Sequence, residues 1–287
     1  MKVKRNFMLL NRQNEKGEIT HTPPISVPVD EAYRRKIKRI VGDMKRISID
    51  PPESFETRSL YAFNSPCNMC DYLRLCYDGD TSGLVVSFER KTSGKIFLSP
   101  SGLITYDTCP RQWAFSYLGY QREKTPAAIE FGNAINDSID LYIVDGINPL
   151  ETFREIWESI DQTKLEYTKK QPHKTLLKIG EALMKNFPEF YDRYVDSLGV
   201  YDIEVEKKLK IPLSSTVILS LRPDAIFYCD GEQGEEIVVT DFKTGDPSKY
   251  NERWIRRSDQ LSLYQYAVEA DIERQARRAQ GAGALSI

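Results

Sequence analysis

Apolar residues recur with two different periods along this chain, and each change of period marks an element. Residues 5–11 and 25–29 are short apolar runs separated by a polar turn, a pattern that predicts two strands. From Asp30 on, Tyr33, Ile37, Ile40, Val41 and Met44 follow helical spacing, so an amphipathic helix is expected with Asp30 as its N-cap. A proline-containing stretch, IDPPESFETRSLYAFNSP, leads to the cysteine group CNMCDYLRLC. Residues 77–97 surround one short β-like run with glycine, serine and charge, which makes them the candidate linker. Ser99 is placed to cap a helix running towards Cys109, and AAIEFGNAINDSIDLYI reads as a further helix. Two more, at 149–162 and 174–195, carry their apolar residues on one face. Between 201 and 245 the period shortens: IEVEKKLKIPL, VILSLRPDAIFY and EEIVVTDFKT are strand-like, with GEQGEE turning between the last two. A closing helix is expected from Ser258 through DQLSLYQYAVEADIERQARR, before a frayed tail QGAGALSI. The sum is an α/β (α+β) domain: a small, mainly antiparallel sheet flanked by helices, with a helical insertion.

Composition narrows the function classes. A chain of 287 residues can bury a sizeable core. No apolar run approaches the roughly 20 residues of a membrane span, and the apolar run near the N-terminus is too short for a signal peptide. A cytoplasmic protein without a membrane partner is therefore expected. The net charge of −2 gives no global argument for nucleic acid, but Arg34, Arg35, Lys36, Lys38 and Arg39 form a basic cluster, as do Arg253, Arg256 and Arg257. Only two histidines occur, His21 and His173, in unrelated contexts, which argues against a histidine-rich zinc site or a Ser-His-Asp triad. Five cysteines in such a chain point to metal binding or burial rather than to a disulfide scaffold.

The candidate chemistry lies in LRPDAIFYCDGEQGEEIVVTDFKTG. Strand alternation puts Asp224 at the start of one strand and Asp241 at the end of the next, so a turn between them brings both carboxylates to one end of the sheet. Asp241 and Lys243 are two apart and share a strand face. Aspartate oxygens are hard ligands suited to Mg²⁺ or Mn²⁺, and an ammonium beside them can orient a water and offset charge on a phosphate.

The series RPDAIFY, VVTDFKTG and DQLSLYQYA resembles the RecB-type branch of the PD-(D/E)XK nuclease superfamily. In that branch the motif aspartate and the D-x-K strand precede a helix opening with Gln-x3-Tyr, matched here by Gln260 and Tyr264. Glu206 stands where the family often has a glutamate on the preceding strand. LSPSGLITYDTCPRQWAFSY is similar to its opening segment, and FGNAIN to its first core helix. The resemblance implies a restriction-endonuclease-like core and metal-dependent hydrolysis of DNA, commonly as an exonuclease on single strands or free ends, beside a helicase or recombination partner. It implies that Asp224, Asp241, the Phe242 carbonyl and Asn136 hold Mg²⁺ or Mn²⁺. Lys243 would position the attacking water, Gln260 and Tyr264 would hold the site or contact the substrate backbone, and Glu206 would support them. Asn136 replaces the histidine usual in the branch, so a DNA-binding module with weakened or lost cleavage is the alternative.

Cys67, Cys70 and Cys76 form C-x2-C-x5-C, and Cys109 stands apart. Sulfur ligation alone leaves zinc and iron–sulfur open. All four positions resemble the iron–sulfur nucleases of the AddB and CRISPR-adaptation type, which implies a structural 4Fe–4S cluster. Cys229 is expected to be a small buried residue. In those relatives the three-cysteine group comes last, whereas here it comes first. Residues 1–78 therefore correspond to the end of the nuclease domain, 79–96 to a linker, 97–275 to the main core and 276–287 to a disordered tail. A circular permutation within one structural domain is the simplest reading; a domain-swapped dimer, or an artefactual joining of sequence ends, would satisfy the same order.

Overall fold

In a computed structural model, residues 2–27, 31–44, 52–61, 65–86, 95–117, 119–231 and 234–283 are described. In chain order the elements are β1 (Lys2–Asn11), β2 (Ile19–His21), α1 (Glu31–Met44), α2 (Leu73–Asp78), β3 (Leu84–Val86), β4 (Ile96–Leu98), α3 (Pro100–Thr108) and α4 (Pro110–Tyr117). Then follow β5 (Tyr120–Arg122), β6 (Thr125–Pro126), α5 (Ala127–Asp145), α6 (Pro149–Ser159), β7 (Leu165–Glu166) and α7 (His173–Leu198). The last third holds β8 (Val200–Val205), β9 (Leu209–Pro212), β10 (Val217–Leu221), β11 (Ala225–Gly231), β12 (Gly234–Gly245), α8 (Glu252–Arg257) and α9 (Asp259–Gly283). They fall into two compact units: Met1–Pro28 with Thr125–Lys208 and Arg222–Ile287, and Val29–Lys124 with Leu209–Leu221.

The first unit is built on a five-stranded sheet in the order β2-β1-β12-β11-β8. Of its four pairings only β1 with β12 is parallel, in register from Lys2↔Glu236 to Asn11↔Gly245. Both β1 and β12 have a neighbour on each edge and helices on each face, which is why RNFMLLN and IVVTDF are buried almost without interruption. Met8, Leu10, Phe227, Val238 and Phe242 join one core with Phe131, Phe153, Trp157, Leu183 and Phe187 from α5, α6 and α7. On the opposite face Arg5, 1% exposed, bonds to Ser262 Oγ at 2.6 Å and the Arg256 carbonyl at 3.1 Å, and Phe7 meets Tyr250 and Trp254 edge-on. That fixes α8 and α9 against the strand beside the D-x-K segment. The two histidines pack as aromatic neighbours, His21 with Tyr194 and His173 with Trp157.

In the second unit β4 pairs parallel with β10, which pairs antiparallel with β9. Ser99 Oγ accepts from the Gly102 N–H at 3.0 Å and caps α3 as expected. The basic cluster on α1 is partly engaged: Lys36 and Arg39 lie 3.0 and 3.6 Å from Asp107.

Several expected elements differ. Of the strand expected over 25–29, residues 25–27 contribute a single bridge, Ile25 with Arg5, and 28–29 lie outside the described residues; the strand beside β1 is formed by residues 19–21. IEVEKKLKIPL breaks into β8 and β9, which belong to different sheets, because Glu206 takes a left-handed backbone (φ 52°) that ends the ladder. VILSLRPDAIFY likewise divides into β10 and β11, with Pro223 lying between them and unable to donate to a ladder. β3 is the short β-like run expected inside the candidate linker, and it pairs with β5. The closing helix continues to Gly283 through the helix-favouring run ARRAQ. The Asp30 cap, residues 232–233 of the turn, 87–94 of the linker and 284–287 of the tail lie outside the described residues.

Candidate nuclease site

β11 and β12 run antiparallel with Ala225 opposite Thr240, and one further step of that register puts Asp224 opposite Asp241. Cross-strand partners share a face, so both carboxylates and Lys243 lie on the same side of the sheet. The Phe242 N–H donates to Asp224 Oδ2 at 2.5 Å. Lys243 Nζ is 2.5 Å from Asp241 Oδ2, an oxygen with no other polar partner. Gln260, on the first turn of α9, joins these groups: its amide donates to Asp241 Oδ1 and to the Tyr264 hydroxyl, both at 2.9 Å. Its oxygen accepts from Lys243 Nζ at 3.1 Å. The i, i+4 spacing of Gln260 and Tyr264 is what puts them on one helix face.

Burial dominates the electrostatics. Asp241 is fully buried, and removal from water raises its carboxyl pKa despite the opposing ammonium of Lys243. Asp224 is pushed well up, first by burial and then by the charge of Asp241. For Lys243 burial acts downward, but Asp241 and Asp224 outweigh it and the ammonium is held more firmly than usual. Tyr264 is raised by burial and by both aspartates, so its hydroxyl stays protonated.

A second group of charges borders the first. The Glu206 N–H donates to the Asp224 carbonyl at 3.1 Å, and the Glu206 carboxylate meets Arg222 Nη1 at 2.7 Å. Asp140 on α5 is raised to about 7, by burial first and then by Glu206 and Asp137, against the pull of Arg222. Asn136 lies between Gly132 and Asp140 on the same line of α5. A Cβ at Gly132 would stand 3.1 Å from Thr244 Oγ1, so this line runs from the D-x-K strand towards Glu206. Asn136 Oδ1 is buried without a hydrogen-bond partner. Five of the expected residues, Asp224, Asp241, Lys243, Gln260 and Tyr264, thus form one connected group with the Phe242 backbone. Glu206 borders it through the backbone, whereas no hydrogen bond joins the buried Asn136 Oδ1 to it. Sequence reasoning missed Arg222 and Asp140; the signals were the basic residue before Pro223–Asp224 and the four-residue step from Asn136.

The family model of the PD-(D/E)XK nuclease superfamily matches residues 97–287. The chain belongs to that superfamily. No curated protein and no solved structure matches it. A mixed sheet between helices, carrying two aspartates and a lysine at one end, is consistent with the restriction-endonuclease-like fold of these nucleases. The superfamily implies metal-dependent nuclease activity on DNA, with Mg²⁺ or Mn²⁺ as the usual ion. The oxygens of Asp224 and Asp241 suit such an ion, and Asn136 Oδ1 is a buried acceptor without a hydrogen-bond partner. Among the described residues no three Cys, His, Asp or Glu side chains form a ready-made ion site.

Four of the five cysteines line one cavity, although no three of them form a ready-made ion site. Cys67, Cys70, Cys76 and Cys109 line one small cavity of about 20 Å³. All are free thiols, and burial raises Cys70 to about 11 despite an opposing Tyr72 N–H. Arg111 Nη1 donates to Cys76 Sγ at 3.8 Å. Cys229 is 2% exposed in the core of the other unit, as expected. No helix among the described residues is long and apolar enough to cross a membrane.

Proposed function

We propose that this protein is a DNA exonuclease of the RecB-type branch, with Asp224, Asp241, the Phe242 carbonyl and Asn136 holding Mg²⁺ or Mn²⁺. The observation that carries the reading is the hydrogen-bonded group of Lys243 and Asp241, on the strand opposite Asp224, with Gln260 and Tyr264 of α9. When bound, the ion would polarise the phosphate and lower the pKa of a coordinated water. Lys243 is kept protonated by its two aspartates, which favours orienting the water and offsetting charge on a phosphate oxygen over a role as base. Gln260 fixes both Lys243 and Asp241, and Tyr264 anchors Gln260. Water adds to phosphorus and gives up one proton to solvent, the P–O bond to the departing sugar oxygen breaks, and that oxygen takes up one proton from solvent.

The same reading gives the four cysteines a structural 4Fe–4S cluster, with zinc as the competing occupant. It rests on four cysteines from two segments of one chain lining one cavity, together with their resemblance to the iron–sulfur nucleases. The circularly permuted order is favoured on the same ground, together with the N-terminal β1 lying beside the D-x-K strand within one chain.

The test is cleavage of linear single-stranded, linear duplex and circular DNA with Mg²⁺, Mn²⁺ or EDTA. Loss of the linear forms only, dependent on metal, is the expected result. Cutting of the circular form would overturn the exonuclease assignment. Binding without cleavage under every metal would leave a DNA-binding module, with Asn136 as the first suspect.

A further inference from the structure

The second unit contains a cavity of about 460 Å³ that takes no part in the chemistry above. Its floor follows from strand alternation. Ile96 and Leu98 of β4 point into the core, so Phe97 points out, with Lys95 and Ser99 on the same side at two-residue spacing. Phe97 is 50% exposed, large for a phenylalanine, and Lys210 Nζ of β9 stands 5.7 Å from its ring centroid. The facing wall comes from α3 and α4. Trp113 and Tyr117, one helical turn apart, stack at 4.9 Å with 19° between their planes. Gly102 keeps the wall open: a Cβ there would stand 3.3 Å from Trp113 Nε1 and 3.2 Å from Ser99 Oγ. Among the described residues no carboxylate lines the cavity, whereas Lys95, Ser99, Ser101 and Thr105 do.

We propose that this cavity is a subsite for single-stranded DNA, in which one unpaired base lies against Phe97 and the Trp113–Tyr117 wall while Lys95, Lys210 and the Ser99 hydroxyl take the flanking phosphates. Aromatic faces with interleaved cations and hydroxyls are what an unpaired strand needs, because each base offers a free π-face and each linkage a charge. The volume lies within the range of pockets that enclose a single small ligand, and a duplex, whose bases stack on each other, has no free face to offer. The inference rests on the DNA-nuclease reading only for the identity of the polymer.

The experiment measures anisotropy of fluorescein-labelled dT20 and of a 20-base-pair duplex, with the full chain in EDTA so that no cleavage intervenes. Phe97→Ala is expected to weaken dT20 binding about tenfold and duplex binding less than twofold, while Phe97→Trp restores dT20 binding. Lys95→Gln is expected to flatten the salt dependence of dT20 binding by about 0.7 in log–log slope. Both residues are exposed, and unchanged thermal melting excludes misfolding. Unchanged dT20 affinity in both variants, or an equal loss for the duplex, overturns the proposal. A protein that binds dT20 through Phe97 but cuts nothing keeps this subsite and loses the nuclease reading. One that cuts DNA with Phe97 and Lys95 irrelevant does the reverse.

Discussion

Replacing Gln260 with alanine removes the one side chain that touches Asp241, Lys243 and Tyr264 together. Two of its three bonds involve charged groups, and such bonds contribute about 1.5–3 kcal/mol each. Part of this is retained, because Lys243 keeps Asp241 at 2.5 Å and alanine favours the helix. The expected stability loss is therefore about 1–3 kcal/mol, a shift of a few degrees in Tm. The effect on cleavage should be larger. Lys243 loses its lateral acceptor and Asp241 its amide donor, and a misplacement on the order of 1 Å at reacting groups costs about a hundredfold. Metal-dependent cleavage, read as kcat and KM beside a thermal melt, should show kcat down about a hundredfold with KM changed less than threefold. Tyr264→Phe, which removes only an acceptor for the same amide, should cost less than tenfold. A folded Gln260→Ala protein with kcat within threefold of wild type would refute the claim that this group acts as a unit.

The remaining expectations concern stability, pH and the cysteines. Gly180→Ala puts a Cβ 2.0 Å from Phe153 Cζ, in a fully buried ring where α6 meets α7; a loss of about 2–3 kcal/mol is expected in denaturant titration. Asp224, Asp241 and Asp140 all have folded-state pKa values raised above their ordinary ones, Asp140 to about 7, so the metal-free fold binds more protons than the unfolded chain. Its stability should fall as pH rises above the ordinary carboxylate range, while Lys243 stays charged throughout; melts in EDTA from pH 5 to 9 would show this, and Mg²⁺ should restore more at pH 8 than at pH 5. Asp140→Asn should stabilise the metal-free protein at pH 8, with the gain shrinking as the pH falls towards 4, and a constant gain would contradict burial as its cause. Anaerobically purified protein should be brown and carry iron, and Cys70→Ser or Cys109→Ser should lose it; colourless protein with stoichiometric zinc would decide for the other metal.

The longer helices were legible because their end signals are local, whereas the short helices α2, α4 and α8 were not read. Ser99 before Pro100 and the left-handed Gly146 and Gly199 mark boundaries of α3, α5 and α7 that apolar spacing alone leaves loose. The strands were legible as segments but not as partners. Nothing near RNFMLLN says that it pairs in parallel with residues more than two hundred positions away, since a buried run on both faces reads the same beside any neighbour. The break at Glu206 was hidden for a related reason: a glutamate at φ 52° carries no glycine or asparagine signal, and the backbone bond from its N–H to the Asp224 carbonyl, which fastens it, is non-local. Asp224, Asp241 and Lys243 could be read because strand period and one turn determine their common end. Arg222 and Asp140 act across elements, through Glu206, and a single segment does not show that.

The most direct test compares wild type with Lys243→Ala and Asp241→Asn on end-labelled linear DNA in Mn²⁺, with metal binding followed by calorimetry. Wild type should bind Mn²⁺ and shorten the DNA. Lys243→Ala should still bind the ion yet cut at least a hundredfold more slowly, and Asp241→Asn should lose both. Cleavage that survives both substitutions, or Mn²⁺ binding indifferent to Asp241→Asn, would contradict the proposed site.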